Sequence, residues 1–345
     1  MTGRQRRTPA VFVRGGTSKG VFFHERDLPV DRAARDSLFL AVLGSPDPYG
    51  RQLDGMGGGI SSLSKAVIIG PPSRPDADVD YTFGQVQVDR ALVDYGGTCG
   101  NLASAVGPFA YEEGLVSLDG PEAVVRIHAT NTGKIIVSRF WVADGAAVVE
   151  GDFELPGVAG TGAPIKLEFL DPGGGNAGRM LPTGNVVDDL DLGEFGTIKA
   201  SLVNAGNACV FVAARDVGLT GTELPNDLDA DHRAKAMLEA VRAAAGVLMG
   251  YGATAQAVTE ASPGNPKVAV VAEPSVAMRL DGGRSEADAM DINLRMLSMG
   301  LAHKASPLTG ALCLAVAARI EGTIPHGCVA AEVQAREALR LGTPS

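Results

Sequence analysis

Two stretches of this chain have helical character yet carry almost no large polar side chain: CGNLASAVG, from Cys99 to Gly107, and TGALCLAVAARI, from Thr309 to Ile320. A helix of Ala, Leu, Val and Gly has no face to offer water, so it needs burial nearly all round to offset the entropy of ordering it. The rest of the chain supplies material for that burial. VFVRGG, KGVFF, KAVIIG, VDYTFGQVQVD, VVRIHATNT and KIIVSRFWV in the first half, then TIKASLVN, ACVFVAA and PKVAVVAEP, are short β-branched or aromatic runs bounded by turn residues. The pattern predicts an α/β (α+β) chain with strands packed around each small helix. Its recurrence in both halves hints at a duplicated unit. Segment 31–43, with an acidic start, and segment 229–248 read as further helices.

At 345 residues the chain is long enough for two domains. A net charge of -10 has the wrong sign for tracking a phosphate backbone, which argues against nucleic acid as a partner. The 45 glycines follow no Gly-X-Y period, so they serve turns and close backbone approaches. Cys99, Cys209, Cys313 and Cys328 form no CxxC pair and no dense framework, as expected for a reducing, cytoplasmic setting. The apolar stretch after Arg4, Arg6 and Arg7 is too short for a signal-peptide core, and no run of some 18 apolar residues exists to span a membrane. The five histidines show no ligand spacing, and no metal is assigned.

Four segments carry residues suited to chemistry. RGGTSKG, 14–20, follows a strand; it reads either as a plain hairpin turn or as a cradle in which backbone N–H groups and the Ser18 hydroxyl receive a carboxylate. DGMGGGISSLSK, 54–65, delivers Lys65 to the start of an apolar strand. There it is either solvated or stripped of water, and loss of water favours the neutral amine that abstracts protons. GGTCGN, 96–101, sets Cys99 at a helix N-terminus with the Gly100 and Asn101 N–H groups beside it; the alternatives are an acid/base thiol and an inert buried one. Finally, Thr309 and Gly310 open the second small helix, as a capping signal or as an opposing set of N–H donors.

Taken in order, RGGTSKGVFF, GSPDPYGRQLDGMGGGISSLSK, DVDYTFGQV, GGTCGNLASAVGPFA, LPTGNVVDDL and VNAGNACVFV resemble the PrpF family, over about Pro9 to Gly322. The resemblance implies a diaminopimelate epimerase-like fold of two similar domains, each with strands wrapped around a central helix. We expect these at 1–180 and 181–325, with 326–345 as a C-terminal helix returning to the first domain. The family's activities are isomerisations of small unsaturated di- and tricarboxylates. Carried over by motif, the catalytic pair falls on Lys65 and Cys99. Ser18, Thr17, Gly100, Asn101, Thr309 and Gly310 take the substrate-binding role. Diaminopimelate epimerases place a second cysteine just before the second central helix. Pro307 stands there in this chain, which disfavours a two-thiol racemase.

The expected function is therefore a cofactor-independent, 2-methylaconitate cis-trans isomerase-like reaction by proton abstraction and return. Its alternatives are 4-oxalomesaconate tautomerase and methylitaconate-type Δ-isomerase and, from another class, a non-catalytic accessory protein of an aconitase-like dehydratase. The expected partners are a small unsaturated di- or tricarboxylate and a second copy of the chain in a homodimer.

Overall fold

The computed structural model describes residues 6–117, 120–175 and 178–345. The chain divides into two compact units, Met1–Tyr95 with Asn101–Asp171, and Gly96–Gly100 with Pro172–Ser345. The division expected near 180 thus falls at 171, and five residues of the first half cluster with the second unit.

In the first unit β1 (Val11–Gly15) and β2 (Ser18–His24) form a hairpin, and α1 (Arg32–Leu43) leads towards β3 (Lys65–Gly70), parallel to β2. Next, β4 (Val79–Val86) returns antiparallel to β3, and the short β5 (Val93–Asp94) pairs with it. After α2 (Gly100–Glu112), β6 (Glu122–Ala129) joins β4 in parallel; β7 (Lys134–Ala143) and β8 (Ala146–Ala147) follow antiparallel. A small hairpin of β9 (Phe153–Glu154) and β10 (Thr161–Gly162) precedes β11 (Lys166–Phe169), which pairs with β7.

Both faces of this sheet are covered. Phe39 and Leu43 of α1 pack with Val21, Phe23, Ala66, Ile68, Val86 and Val93 on one of them. Asp31 caps α1 by accepting from the Ala34 N–H at 2.8 Å. On the other face, Phe109 of α2 meets Phe22 of β2 with ring centroids 5.4 Å apart. A Cβ on Gly107 of the same helix would lie 2.7 Å from Ser138 Oγ and 2.8 Å from Phe140 Cε1, on β7. Because β3, β4 and β6 separate β2 from β7, a helix that touches both requires the sheet to curl around it.

The second unit repeats the plan. β12 (Asp188–Asp191), β13 (Thr197–Ala205) and β14 (Asn207–Ala213) run antiparallel in order. Three helices, α3 (Pro225–Ala230), α4 (His232–Leu248) and α5 (Ala255–Ala261), then lead to β15 (Lys267–Ala272), parallel to β14. A small hairpin, β16 (Ala277–Met278) and β17 (Arg284–Ser285), precedes β18 (Ile292–Ser298), which runs antiparallel to β15; β19 (Leu301–Ala302) folds back on β18. After α6 (Leu308–Ala317) and α7 (Ile324–Gly327), β20 (Leu341–Gly342) joins β18 in parallel. Each unit therefore runs hairpin, helical crossover, parallel strand, antiparallel strand, small-residue helix, parallel strand. Helix α6 has no exposed residue, and its Cys313 thiol donates to the Val203 carbonyl of β13 at 3.3 Å.

Several boundaries differ from those expected. The helix read at 229–248 is two, because Asp231 leaves helical geometry and caps α4 by accepting from the Ala234 N–H. Helix α2 continues past Gly107 and carries Pro108 inside it, since packing around Phe109 and Ala110 outweighs the lost donor. The segment 326–345 is not a helix returning to the first unit. It holds only the end of α7, a 3-10 turn and β20, and it belongs to the second unit. No helix among the described residues is long and apolar enough to cross a membrane.

What fixes that C-terminal segment is Asp291, which is buried. Its carboxylate accepts from the Arg340 guanidinium at 2.8 Å and the Arg340 N–H at 2.7 Å. The hydrogen bond to the Arg340 side chain is the main reason this carboxyl sits below the usual carboxylate range. A depressed carboxyl contributes stability that is full above its ordinary value, about 4, and is lost as the pH falls through the lower folded value. Asp291→Asn is expected to lower the thermal midpoint at pH 7, with the gap to the wild type closing as the pH falls below the ordinary carboxylate value of about 4 and through the lower folded one. Equal midpoints at pH 7 would show that β20 is held by other means.

Candidate active site

Lys65 opens β3 directly opposite Gln85 of β4 and is buried, 7% exposed. Its Nζ donates to Gln85 Oε1 at 2.8 Å and lies 5.0 Å from the centroid of the Phe83 ring. The Gln85 amide is itself fixed, since its Nε2 donates to the Ser61 carbonyl at 3.1 Å and the Ser64 carbonyl at 2.8 Å. Both carbonyls belong to the loop before β3, and two side chains shape that loop. Asp47 accepts the N–H groups of Tyr49, Arg51 and Gln52, led by Tyr49 in holding its carboxyl below the ordinary range. Gln52, buried at φ 51°, donates to Ser45 Oγ and Ser64 Oγ and accepts the Gly59 N–H, while Ser64 Oγ donates to the Val86 carbonyl. Lys65 thus belongs to a buried polar chain and is not a solvated strand end.

The RGGTSKG segment forms the β1–β2 hairpin turn, with Gly16 at φ +54°, which glycine adopts without steric cost. Ser18 is buried at 3% exposed. The first turn of α2 presses on this hairpin: a Cβ on Gly15 would meet the Asn101 carbonyl oxygen at 2.5 Å, and Asn101 Nδ2 donates to Thr17 Oγ1 at 2.9 Å. Gly20 completes the packing, since its missing Cβ would lie 2.9 Å from Leu102 Cδ1 and 3.2 Å from Lys65 Cβ. Thr17, Ser18, Lys65 and Asn101 therefore lie on the α2 side of the first unit's sheet.

Cys99, Gly100, Thr309 and Gly310 fall in the second unit. Cys99 is buried, 8% exposed, and immediately precedes α2. The segment that carries it is tied down by Asn207, whose Oδ1 accepts the Thr98 N–H at 3.0 Å. Asn207 Nδ2 donates to the Thr98 carbonyl at 2.8 Å and to Thr309 Oγ1 at 2.9 Å. Gly100 and Gly310 have steric duties. A Cβ on Gly100 would meet Leu308 Cδ2 at 2.7 Å, and one on Gly310 would overlap Met296 Sδ. Asn207 and Gln85 did not emerge as site residues from local patterning, although VNAGNACVFV and DVDYTFGQV contain them. Burial raises the Cys313 thiol well above its usual value and pushes that of Cys328 up to about 11. Among the described residues, no group of three or more His, Cys, Asp or Glu is placed to hold a metal.

Comparison with known proteins puts this chain among isomerases. A 2-methyl-aconitate isomerase of Cupriavidus necator is 46% identical over 99% of this chain and 88% of its own length. A 3-methylitaconate isomerase of Eubacterium barkeri is 43% identical over 99% and 89%, and a (4E)-oxalomesaconate Delta-isomerase of Novosphingobium sp. is 41% identical over 98% and 87%. The crystal structure of a methylitaconate-delta-isomerase superposes with a TM-score of 0.78 at 42% identity, covering 99% of this chain and 87% of that one. The chain belongs to the PrpF family, whose model, "PrpF protein", matches residues 5–345. The two-unit α/β fold with strands wrapped around helices is the one the motifs implied.

Removing the Asn207 amide frees the Thr98 peptide. Asn207→Ala is expected to speed alkylation of Cys99 several-fold while Cys209 and Cys313, both 0% exposed, stay unlabelled. Peptide mass spectrometry after timed iodoacetamide treatment reads this directly. An unchanged Cys99 rate would mean that Asn207 does not control the thiol's surroundings.

Proposed function

We propose that this chain is an isomerase of a small unsaturated di- or tricarboxylate, of the 2-methylaconitate cis-trans type, with Lys65 as the base. The observation that carries this reading is the buried lysine at the end of a strand, held by an amide whose own orientation is fixed. Neutral Lys65 takes a proton from the carbon allylic to the substrate's double bond. The C–H electron pair then delocalises through the double bond into a carboxylate as a dienolate, and the amine becomes an ammonium. Rotation about the former double bond changes its geometry, and the proton returns at either end of the three-carbon unit. Nothing is oxidised or reduced and no group is transferred, so the step calls for no cofactor.

A carbanion beside a carboxylate is costly, and donors preset around it are the larger source of rate. Ser18, Thr17 and Asn101, with the backbone N–H groups of Gly100, Thr309 and Gly310, are assigned to hold substrate carboxylates. Cys99 is assigned to the proton's return. The tautomerase and Δ-isomerase alternatives need the same proton transfers and differ in which carbon is reprotonated. Relatives named 4-oxalomesaconate tautomerase, at 38% identity, and 3-methylitaconate isomerase, at 43%, support these alternatives.

In heavy water, the wild-type protein is expected to place deuterium in the allylic position of its substrate, read by proton NMR over a panel of 2-methylaconitate, methylitaconate and oxalomesaconate. Lys65→Met should lower turnover and exchange by about a thousand-fold, within the range for loss of a general base, while the circular dichroism spectrum is retained. No exchange with any acid on the panel would favour the accessory-protein reading, and near-normal turnover of Lys65→Met would remove the lysine from the mechanism.

A further inference from the structure

We propose that Gln85 is the positioning residue that aims the Lys65 amine, a role resting on the reading of Lys65 as the base. The two residues are register partners across β3 and β4, so their side chains leave the same face of the sheet. A glutamine amide has one acceptor oxygen and two N–H donors. Here Nε2 is committed to the Ser61 and Ser64 carbonyls, leaving Oε1 as the group that faces Lys65 Nζ at 2.8 Å. The amide cannot turn over without setting Oε1 against two carbonyl oxygens. A neutral amine has two N–H bonds and one lone pair. With one N–H drawn to Gln85 Oε1 and Phe83 beneath the nitrogen, the lone pair is confined to few directions. Entropy that a free lysine would lose on reaching the transition state is lost beforehand, when the chain folds.

The same register continues one strand further, because Gln85 is paired with Asp94 of β5, also buried. Lys65, Gln85 and Asp94 therefore occupy one row across three strands. Gln85 accepts from the amine as a neutral group and adds no formal charge of its own.

Two substitutions of similar volume test this in opposite directions. Gln85→Met removes the acceptor; kcat is expected to fall about ten- to a hundred-fold with KM within about three-fold, and the acidic limb of kcat/KM against pH to move down. Gln85→Glu sets a carboxylate against the ammonium and holds its proton. The limb is expected to move up by about one unit or more, with rate recovered at higher pH. Asp94 is retained in both. Each variant is judged separately, on protein whose melting curve shows it folded. A limb that stays at the wild-type position in either one, or that moves the same way in both, overturns the proposal whatever the loss of rate. Lys65→Met assayed alongside separates the two failures. If it is inactive while the limbs do not move, only the role of Gln85 falls; if it is active, the base assignment falls first.

Discussion

Close approach of neighbouring atoms to glycine backbone governs this molecule. Helix α2 reaches the inside of its curled sheet only because Gly107 lets Ser138 and Phe140 occupy the place of a side chain. Gly15 and Gly20 do the same where the first turn of α2 meets the β1–β2 hairpin and β3. In the second unit, Gly310 makes room for Met296 of β18 beside α6. A methyl group at any of these places would meet atoms well inside van der Waals contact, in interiors packed too tightly to yield without cost. These glycines are thus a requirement of wrapping sheets around narrow helices, while many others sit in open turns at positive φ.

That requirement explains why much of the fold was legible in the sequence. The small-residue helices announced their burial, and the strands around them had β-branched runs that few other structures accommodate. β18 escaped notice because INLRMLS breaks the usual apolar pattern with Asn293 and Arg295, both buried. Arg295 survives there by donating to the carbonyls of Glu223, Leu294 and Gly342, although burial pulls its guanidinium down to about 10. Such compensation comes from residues distant in the chain, and no local pattern registers it. The C-terminal segment was misread for a related reason: Arg340 answers to Asp291, 49 positions away.

Site residues divided along similar lines. Lys65 could be singled out because a lysine leading into KAVIIG is anomalous on local grounds, and Cys99 because it stands at a helix start. Gln85 is an ordinary polar residue near a strand end until the β3–β4 register is known. Asn207 likewise gains meaning only from Thr98 and Thr309, more than 100 positions away in either direction. Gly100 and Gly310 were singled out for their N–H groups, and their lack of a side chain proved to answer also to packing. Local chemistry thus singled out Lys65 and Cys99 as candidates, while the residues that hold their surroundings depended on tertiary pairing.

The five residues Gly96–Gly100 associate with the second unit although they lie in the first half of the chain. Severing the polypeptide after Asp171 would therefore not yield two self-sufficient halves: the later fragment would lack Thr98, leaving the Asn207 amide without the peptide it grips. A split or circularly permuted version of the chain therefore has to carry Gly96–Gly100 with the second unit to keep that grip.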